Sequence, residues 1–230
     1  MAIKRVALSA LMLAAGLGGL TRANAASQQE MLAQTCFDRL ADIAQFETAA
    51  EGEPSSDCPV SDLIRLQKIF VKDAVPITLA PPPTMRCELA ETVSRWVRSD
   101  LSPLASTLGA SLKTLRTTGS YQCRIRVGSG PGKISEHGKG NALDVNAITL
   151  SNGQSYSLVD TTLPEALREQ LRASACRQFT TVLGPGSDAT HNDHVHLDLL
   201  ERSNGARMCQ WDILSGATSD VPLPPRRPPP

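Results

Sequence analysis

The sequence predicts an α+β fold: an antiparallel sheet flanked by helices, carrying a zinc site and three disulfides. Three observations point there. Apolar residues alternate with polar ones from His194 to Leu199, and Ala142 to Leu150 reads as a second strand. Leu89, Val93, Trp96 and Val97 recur at helical spacing, as do Leu167 and Leu171. Six cysteines follow an export-type leader.

The leader is Met1 to Ala25: charged Lys4-Arg5, an apolar run from Val6 to Leu20, then small-x-small Ala23-Asn24-Ala25. This is the pattern of a cleaved secretory signal, and it implies a periplasmic or secreted protein. It is too short and glycine-rich for a good membrane span, so no stable membrane insertion is expected. Cleavage removes three basic residues and no acid, taking the formal charge from 0 to −3. No basic field remains to suggest nucleic acid. Nothing in the sequence speaks to oligomeric state.

Residues 26–46 read as a helix, with Met31, Leu32, Leu40 and Ile43 as core positions, and Glu47 to Pro59 as a polar turn region. Ser61 to Val71 and Val75 to Leu79 are strand-like. Ala80-Pro81-Pro82-Pro83 is a linker or rigid turn that divides a disulfide-bearing extension, 26–83, from the main domain, 84–216. Thr84 is placed as the N-cap of the helix carrying Trp96, which is assigned to the core. Ser102-Pro103 opens a short second helix, ended by Gly109. Leu112 to Thr118 and Tyr121 to Val127 read as strands around Gly119-Ser120. Gly128 to Lys133 is a glycine-rich loop without the Lys-Ser/Thr of a phosphate cradle, so a mobile loop beside the site is the reading taken. Asn152-Gly153 turns the 142–150 strand into Gln154 to Val159. Leu163 to Arg177 is a helix, and Phe179 to Leu183 a strand. Gly184 to Asp188 is a turn into the histidine strand, and Ala206 to Leu214 a last strand stapled by Cys209. The proline-rich 217–230 is expected to be a disordered or extended tail. No internal repeat is seen.

The cysteines are Cys36, Cys58, Cys87, Cys123, Cys176 and Cys209. Spacing alone does not choose among the 15 possible pairings. The expectation taken forward is sequential: Cys36–Cys58, Cys87–Cys123 and Cys176–Cys209. Each loop would contribute roughly 3–4 kcal/mol in the chain-entropy account. No Cys-x-x-Cys is present, which argues against cysteine as a zinc ligand.

The chain has four histidines, and His191, His194 and His196 fall within six consecutive positions. The fourth, His137, precedes Asp144. Side chains at i, i+2 and i+4 share one strand face, so His194, His196 and Asp198 would converge while Val195, Leu197 and Leu199 pack behind. Gly138 and Gly140 let the backbone bend beside His137. Two imidazoles and a carboxylate suit a catalytic zinc, which takes three protein ligands and lowers the pKa of water towards 7.

His137, six intervening residues, Asp144, and the distant His194-x-His196 resemble the signature of the zinc peptidases. Those include D-Ala-D-Ala carboxypeptidases, dipeptidases and murein endopeptidases, with the hedgehog domain on the same fold. The wider string resembles the bacterial extensin-like C-terminal domain family over residues 30–215. It comprises Tyr121-x-Cys123-Arg124, Ser135-Glu136-His137, Leu183-Gly184-Pro185-Gly186 and His191-x-x-His194-x-His196-x-Asp198. The resemblance implies His137, Asp144 and His196 as ligands of one zinc ion, with His194 near the water and substrate. Dipeptidase-like relatives carry a glutamate base three residues before the last ligand. Here that position is Asp193, and the three-histidine spacing is closer to the murein endopeptidases. His194, Asp193 and His191 are therefore all candidates for the base, in the order His194 then Asp193. The resemblance also makes Arg124 a contact for substrate carboxyl or carbonyl, with Arg126 as its rival, and Tyr121, Ser135 and Glu136 as cleft residues. Asp198 either orients a histidine or binds a turn.

The function implied is a secreted zinc-dependent peptidase that cleaves D-Ala-containing bonds of peptidoglycan peptides, endopeptidase before carboxypeptidase. The alternatives are a non-catalytic wall-binding or scaffolding module on the same fold, and a metal-free interaction domain.

Overall fold

The computed structural model describes residues 31, 34–49, 58, 60, 62–72, 74–125 and 133–212. The leader, Leu32, Arg126, most of the glycine-rich loop and the proline tail lie outside them. Helix α1 covers residues 34–41 and is followed at once by strand β1, Ala44–Thr48. The helix expected to run to residue 46 stops early because Ala44 to Thr48 pair with the next strand. Leu40 is fully buried, Ile43 partly, and Met31 is exposed.

β2 is Leu63–Ile69 and β3 is Ile77–Ala80. Thr84 is not a helix cap: it opens β4, Thr84–Arg86, which adds to β2 with Met85 opposite Ile64. Both of those side chains are fully buried, and this packing outweighs the local capping preference. Helix α2, Cys87–Trp96, buries Cys87, Leu89, Ala90, Val93 and Trp96. A wide π turn, Val97–Leu101, joins it without a break to α3, Ser102–Ser106. Ser102 is therefore inside a continuous helical run and not at a new start. Pro103 brings no N–H, and a widened turn just before a proline accommodates that loss.

β5 is Leu112–Gly119, β6 Ala142–Leu150, β7 Ser155–Ser157, α4 Glu165–Gln178, β8 Thr181–Leu183, β9 Val195–Asp198 and β10 Met208–Gln210. Residues 121–124 form no strand, contrary to the sequence expectation. The chain leaves the sheet after Gly119, and only an Ile125–Ile134 bridge remains there.

The strands make one sheet in the order β1-β2-β3-β5-β6-β9-β8-β10, with β4 also on β2 and β7 on β6. Strands from both sides of Pro83 belong to it. Pairing is antiparallel except for β3/β5 and β8/β10, which are parallel. The sheet is thus mixed, because the chain segment holding α2 and α3 carries it across between β3 and β5 in the same direction. α2 and α4 pack together: Trp96 Nε1–H donates to Ser174 Oγ at 3.0 Å, and Phe179 meets the indole edge-on at 5.6 Å. Trp96 is core.

The disulfides are Cys36–Cys87, Cys58–Cys123 and Cys176–Cys209. Only the last matches the sequential expectation. Strand β1 separates Cys36 on α1 from Cys58 in the β1–β2 connection, and α1 instead meets the buried start of α2 at Cys87. Cys58 is left for Cys123, on the irregular segment after β5.

Candidate metal centre

The two central strands β6 and β9 pair antiparallel with Asp144 directly opposite His196. On the other side of β6, Gly119 of β5 faces Asp144. A Cβ at residue 119 would overlap Asp144 Oδ2, so glycine there is what leaves room for the carboxylate. His137 comes from a short 3-10 turn, His137–Lys139, closed by Gly140 in the left-handed region at φ 65°. Gly138 is also required, since a Cβ there would strike Ile134 and the Arg124 backbone.

These elements bring His137, Asp144 and His196 together, all buried, with one potential ligand atom from each within 4.8 Å of the others. His137 Nε2 lies 3.1 Å from His196 Nδ1 and 3.3 Å from Asp144 Oδ2. His196 Nδ1 lies 3.0 Å from Asp144 Oδ1.

The outer contacts decide where the hydrogens are. His137 Nδ1 sits 2.9 Å from the Ser120 carbonyl, which can only accept. Nδ1 must therefore donate, and Nε2 of the neutral ring carries a lone pair. His196 Nε2 sits 3.0 Å from Asp198 Oδ2. Hydrogen bonds from His196 and Thr181 outweigh burial and hold Asp198 below its ordinary pKa, so this partner also only accepts. Nε2 must donate, and Nδ1 of neutral His196 carries a lone pair too. Asp144 is held well below the usual carboxylate range. Burial would raise it, but bonds to His137 and His196 outweigh burial. Two lone pairs and a carboxylate thus converge with no hydrogen to share. Only a cation resolves that arrangement.

In the protein alone the cation is a proton. Burial would lower the His196 pKa, yet its bonds to Asp144 and Asp198 raise it to about 9. The same three groups could hold a metal ion: two imidazoles, each ring oriented by an outer acceptor, and one carboxylate. Asp198 does both jobs left open by the sequence, since its Oδ1 accepts from Leu200 N at 2.9 Å.

The other candidates lie around this cluster. His194 places Nε2 at 3.7 Å from Asp144 Oδ1, while its Nδ1 meets Asp193 Oδ1 at 2.7 Å. The Asp193 carboxylate is 91% exposed and turned to that histidine. The His191 ring stands 5.3 Å from that of His194 and 5.6 Å from that of His196. Burial holds its pKa below the ordinary value despite Asp188. Ser135 Oγ accepts from His137 N at 3.3 Å and so supports the turn. Glu136 is a brace: Lys139 Nζ and Asn141 Nδ2 both donate to it at 2.7 Å. Tyr121 is half-buried, its hydroxyl donating to the Cys58 carbonyl at 3.4 Å. Arg124 is exposed, and its backbone carbonyl accepts from Ser135 N at 3.0 Å beside the metal turn. Arg126 lies outside the described residues.

Sequence reasoning missed three supporting residues. Gly119 and the Ser120 carbonyl passed as an ordinary turn, and nothing local marks a backbone oxygen as a histidine partner. Asp188 also passed as turn. The spacing Asp188-x-Thr190-His191 was a usable signal, because an Asp beginning a helical turn caps it.

The chain belongs to the extensin-like family: the family described as Extensin-like protein C-terminus matches residues 34–210. No curated protein and no solved structure matches it.

Gly119→Ala is expected to push Asp144 out of place. Metal affinity should drop on the order of 10- to 100-fold, with about 1–3 kcal/mol of stability lost to overpacking, as read by metal titration and denaturant midpoints. The metal-free protein should also lose stability with rising pH. The folded pKa of His196 is raised from 6.5 to about 9, so its contribution is complete below 6.5 and is lost as pH rises towards 9. Asp144 acts oppositely, its contribution fading as pH falls below 3.8. Melting temperatures of chelator-treated protein from pH 5 to 9 should therefore decline above 6.5; a flat or rising profile contradicts the protonated cluster.

Proposed function

We propose that this extensin-like protein is a zinc-dependent peptidase of the cell envelope that cuts D-Ala-containing amide bonds in peptidoglycan peptides, as an endopeptidase before a carboxypeptidase. The observation that carries the metal reading is the convergence of His137 Nε2, His196 Nδ1 and the Asp144 carboxylate in one buried group that could hold a metal ion. The substrate class follows from the resemblance of the motifs to the zinc peptidases. Three disulfides suit an oxidising compartment, and among the described residues no helix is long and apolar enough to cross a membrane.

His137, Asp144 and His196 would hold the ion. When bound, it supplies positive charge that polarises a carbonyl and acidifies water. The chain's own residues do the rest. Ser120 and Asp198 fix the two ligand rings in the required tautomers. His194, backed on Nδ1 by Asp193, presents Nε2 beside the cluster. From there it takes a proton from the attacking water and returns it to the leaving amine. Arg124, exposed and with its backbone carbonyl bonded to Ser135 N beside the metal turn, would offer a planar fork to a substrate carboxyl or carbonyl.

A second reading has one observation in its favour. Asp193, at the position where dipeptidase-like relatives carry glutamate, points to His194 and solvent, so no carboxylate base enters the cluster. A wall-binding module that holds the ion without turnover would look the same. Digestion of muropeptides by the zinc-supplemented protein, read by mass spectrometry, separates the two. The peptidase reading expects new fragments that His196→Ala abolishes. Full activity in that variant would end it, and binding to sacculi without cleavage, in wild type and His194→Ala alike, selects the module.

A further inference from the structure

Asp188 lies outside the metal cluster, against His191, whose ring stands 5.3 Å from that of His194 and 5.6 Å from that of His196. It caps the 3-10 turn Ala189–His191. One oxygen, Oδ1, accepts from Thr190 N at 2.8 Å and Thr190 Oγ1 at 2.6 Å, and faces His191 Nδ1 at 2.8 Å. Those bonds outweigh burial and hold the carboxyl at about 2, so it is an ionised acceptor. The second neighbour of His191 Nδ1 is Thr190 Oγ1, at 3.2 Å. That hydroxyl gives its only hydrogen to Asp188, so it too turns a lone pair towards the ring. Both neighbours of Nδ1 are acceptors, and Nδ1 must carry the hydrogen.

We infer that Asp188 is a positioning residue that locks His191 as its Nδ1–H tautomer, leaving Nε2 a fixed hydrogen-bond acceptor beside His194 and His196. The geometry is economical: three successive backbone steps place the capping carboxylate, the bridging hydroxyl and the ring. The carboxylate is 51% exposed while the His191 ring is only 15% exposed, so the anion stays hydrated as it orients a largely covered imidazole. An acceptor there suits an N–H or O–H donor of a peptide lying over the cluster. Its catalytic consequence rests on the peptidase reading; the tautomer does not.

Two measurements keep these apart. With four histidines in the chain, long-range proton–nitrogen NMR of 15N-histidine-labelled protein, with His191→Ala for assignment, reads each tautomer directly. Wild type should show His191 protonated at Nδ1. Asp188→Ala should move the proton to Nε2 in most molecules, and Asp188→Asn, whose Oδ1 still accepts, should retain Nδ1–H. A wild-type His191 protonated at Nε2, or an unchanged tautomer in a folded Asp188→Ala protein, overturns the inference. Should the alanine variant not fold, the wild-type and Asp188→Asn spectra still decide it. On muropeptides, Asp188→Ala should lower kcat on the order of 10- to 100-fold with KM little changed, and Asp188→Asn should restore most of it. Absence of turnover in wild type counts against the peptidase reading alone.

Discussion

Two imidazole nitrogens and a carboxylate meet at about hydrogen-bond distance in a buried site, and each is an acceptor. The Ser120 carbonyl consumes the hydrogen of His137, and Asp198 consumes that of His196. Burying like-signed lone pairs and a negative charge together is strongly unfavourable unless a positive charge joins them. The fold nevertheless builds the cluster inside the sheet, where β6 and β9 each have a paired strand on both sides. That cost is offset by a proton on His196, and the same three donors could together hold a metal ion.

The rest of the architecture serves that convergence. Register between β6 and β9 sets Asp144 against His196, and glycine at 119 on β5 clears the space behind the carboxylate. The parallel pairing of β3 with β5 seats β5 in mid-sheet, so both flanks of β6 are occupied along its length. The Cys58–Cys123 cross-link anchors residues 121–124, which lie beside the turn that carries His137: Gln122 N donates to the His137 carbonyl at 3.2 Å. The Trp96–Ser174–Phe179 packing between helices α2 and α4 gives the sheet a rigid backing.

The legible parts of the sequence were those whose signal is periodic or compositional. β6 was readable to its ends, and α2 and α4 to within a few residues, because apolar spacing reports burial directly. The histidine strand was readable because His194, His196 and Asp198 alternate with Val195, Leu197 and Leu199. What the sequence hid was set by tertiary pairing. Thr84 carries a good cap residue, but Met85 needs the core beneath β2, and the strand wins. Tyr121 to Val127 looks like a strand, but the disulfide and the metal turn draw its first residues off the sheet. Cysteine partners depend on which elements cross, which spacing does not encode; Cys176–Cys209 came out correctly because α4 and β10 are neighbours through β8. The Ser120 carbonyl was invisible as a site component because it is a backbone oxygen that holds another residue, while Asp188 was marked only by its capping position before Thr190 and His191.

The buried trio could hold a metal ion, and a proton on His196 stands in its place until one binds. Calorimetric titration of zinc into chelator-treated protein, repeated in buffers of different ionisation enthalpy, counts the ions bound and the protons released together. The account predicts one ion per chain with about one proton released near pH 7, declining towards none as pH passes about 9. Zinc binding that releases no proton at pH 7, or that survives His196→Ala undiminished, would contradict it.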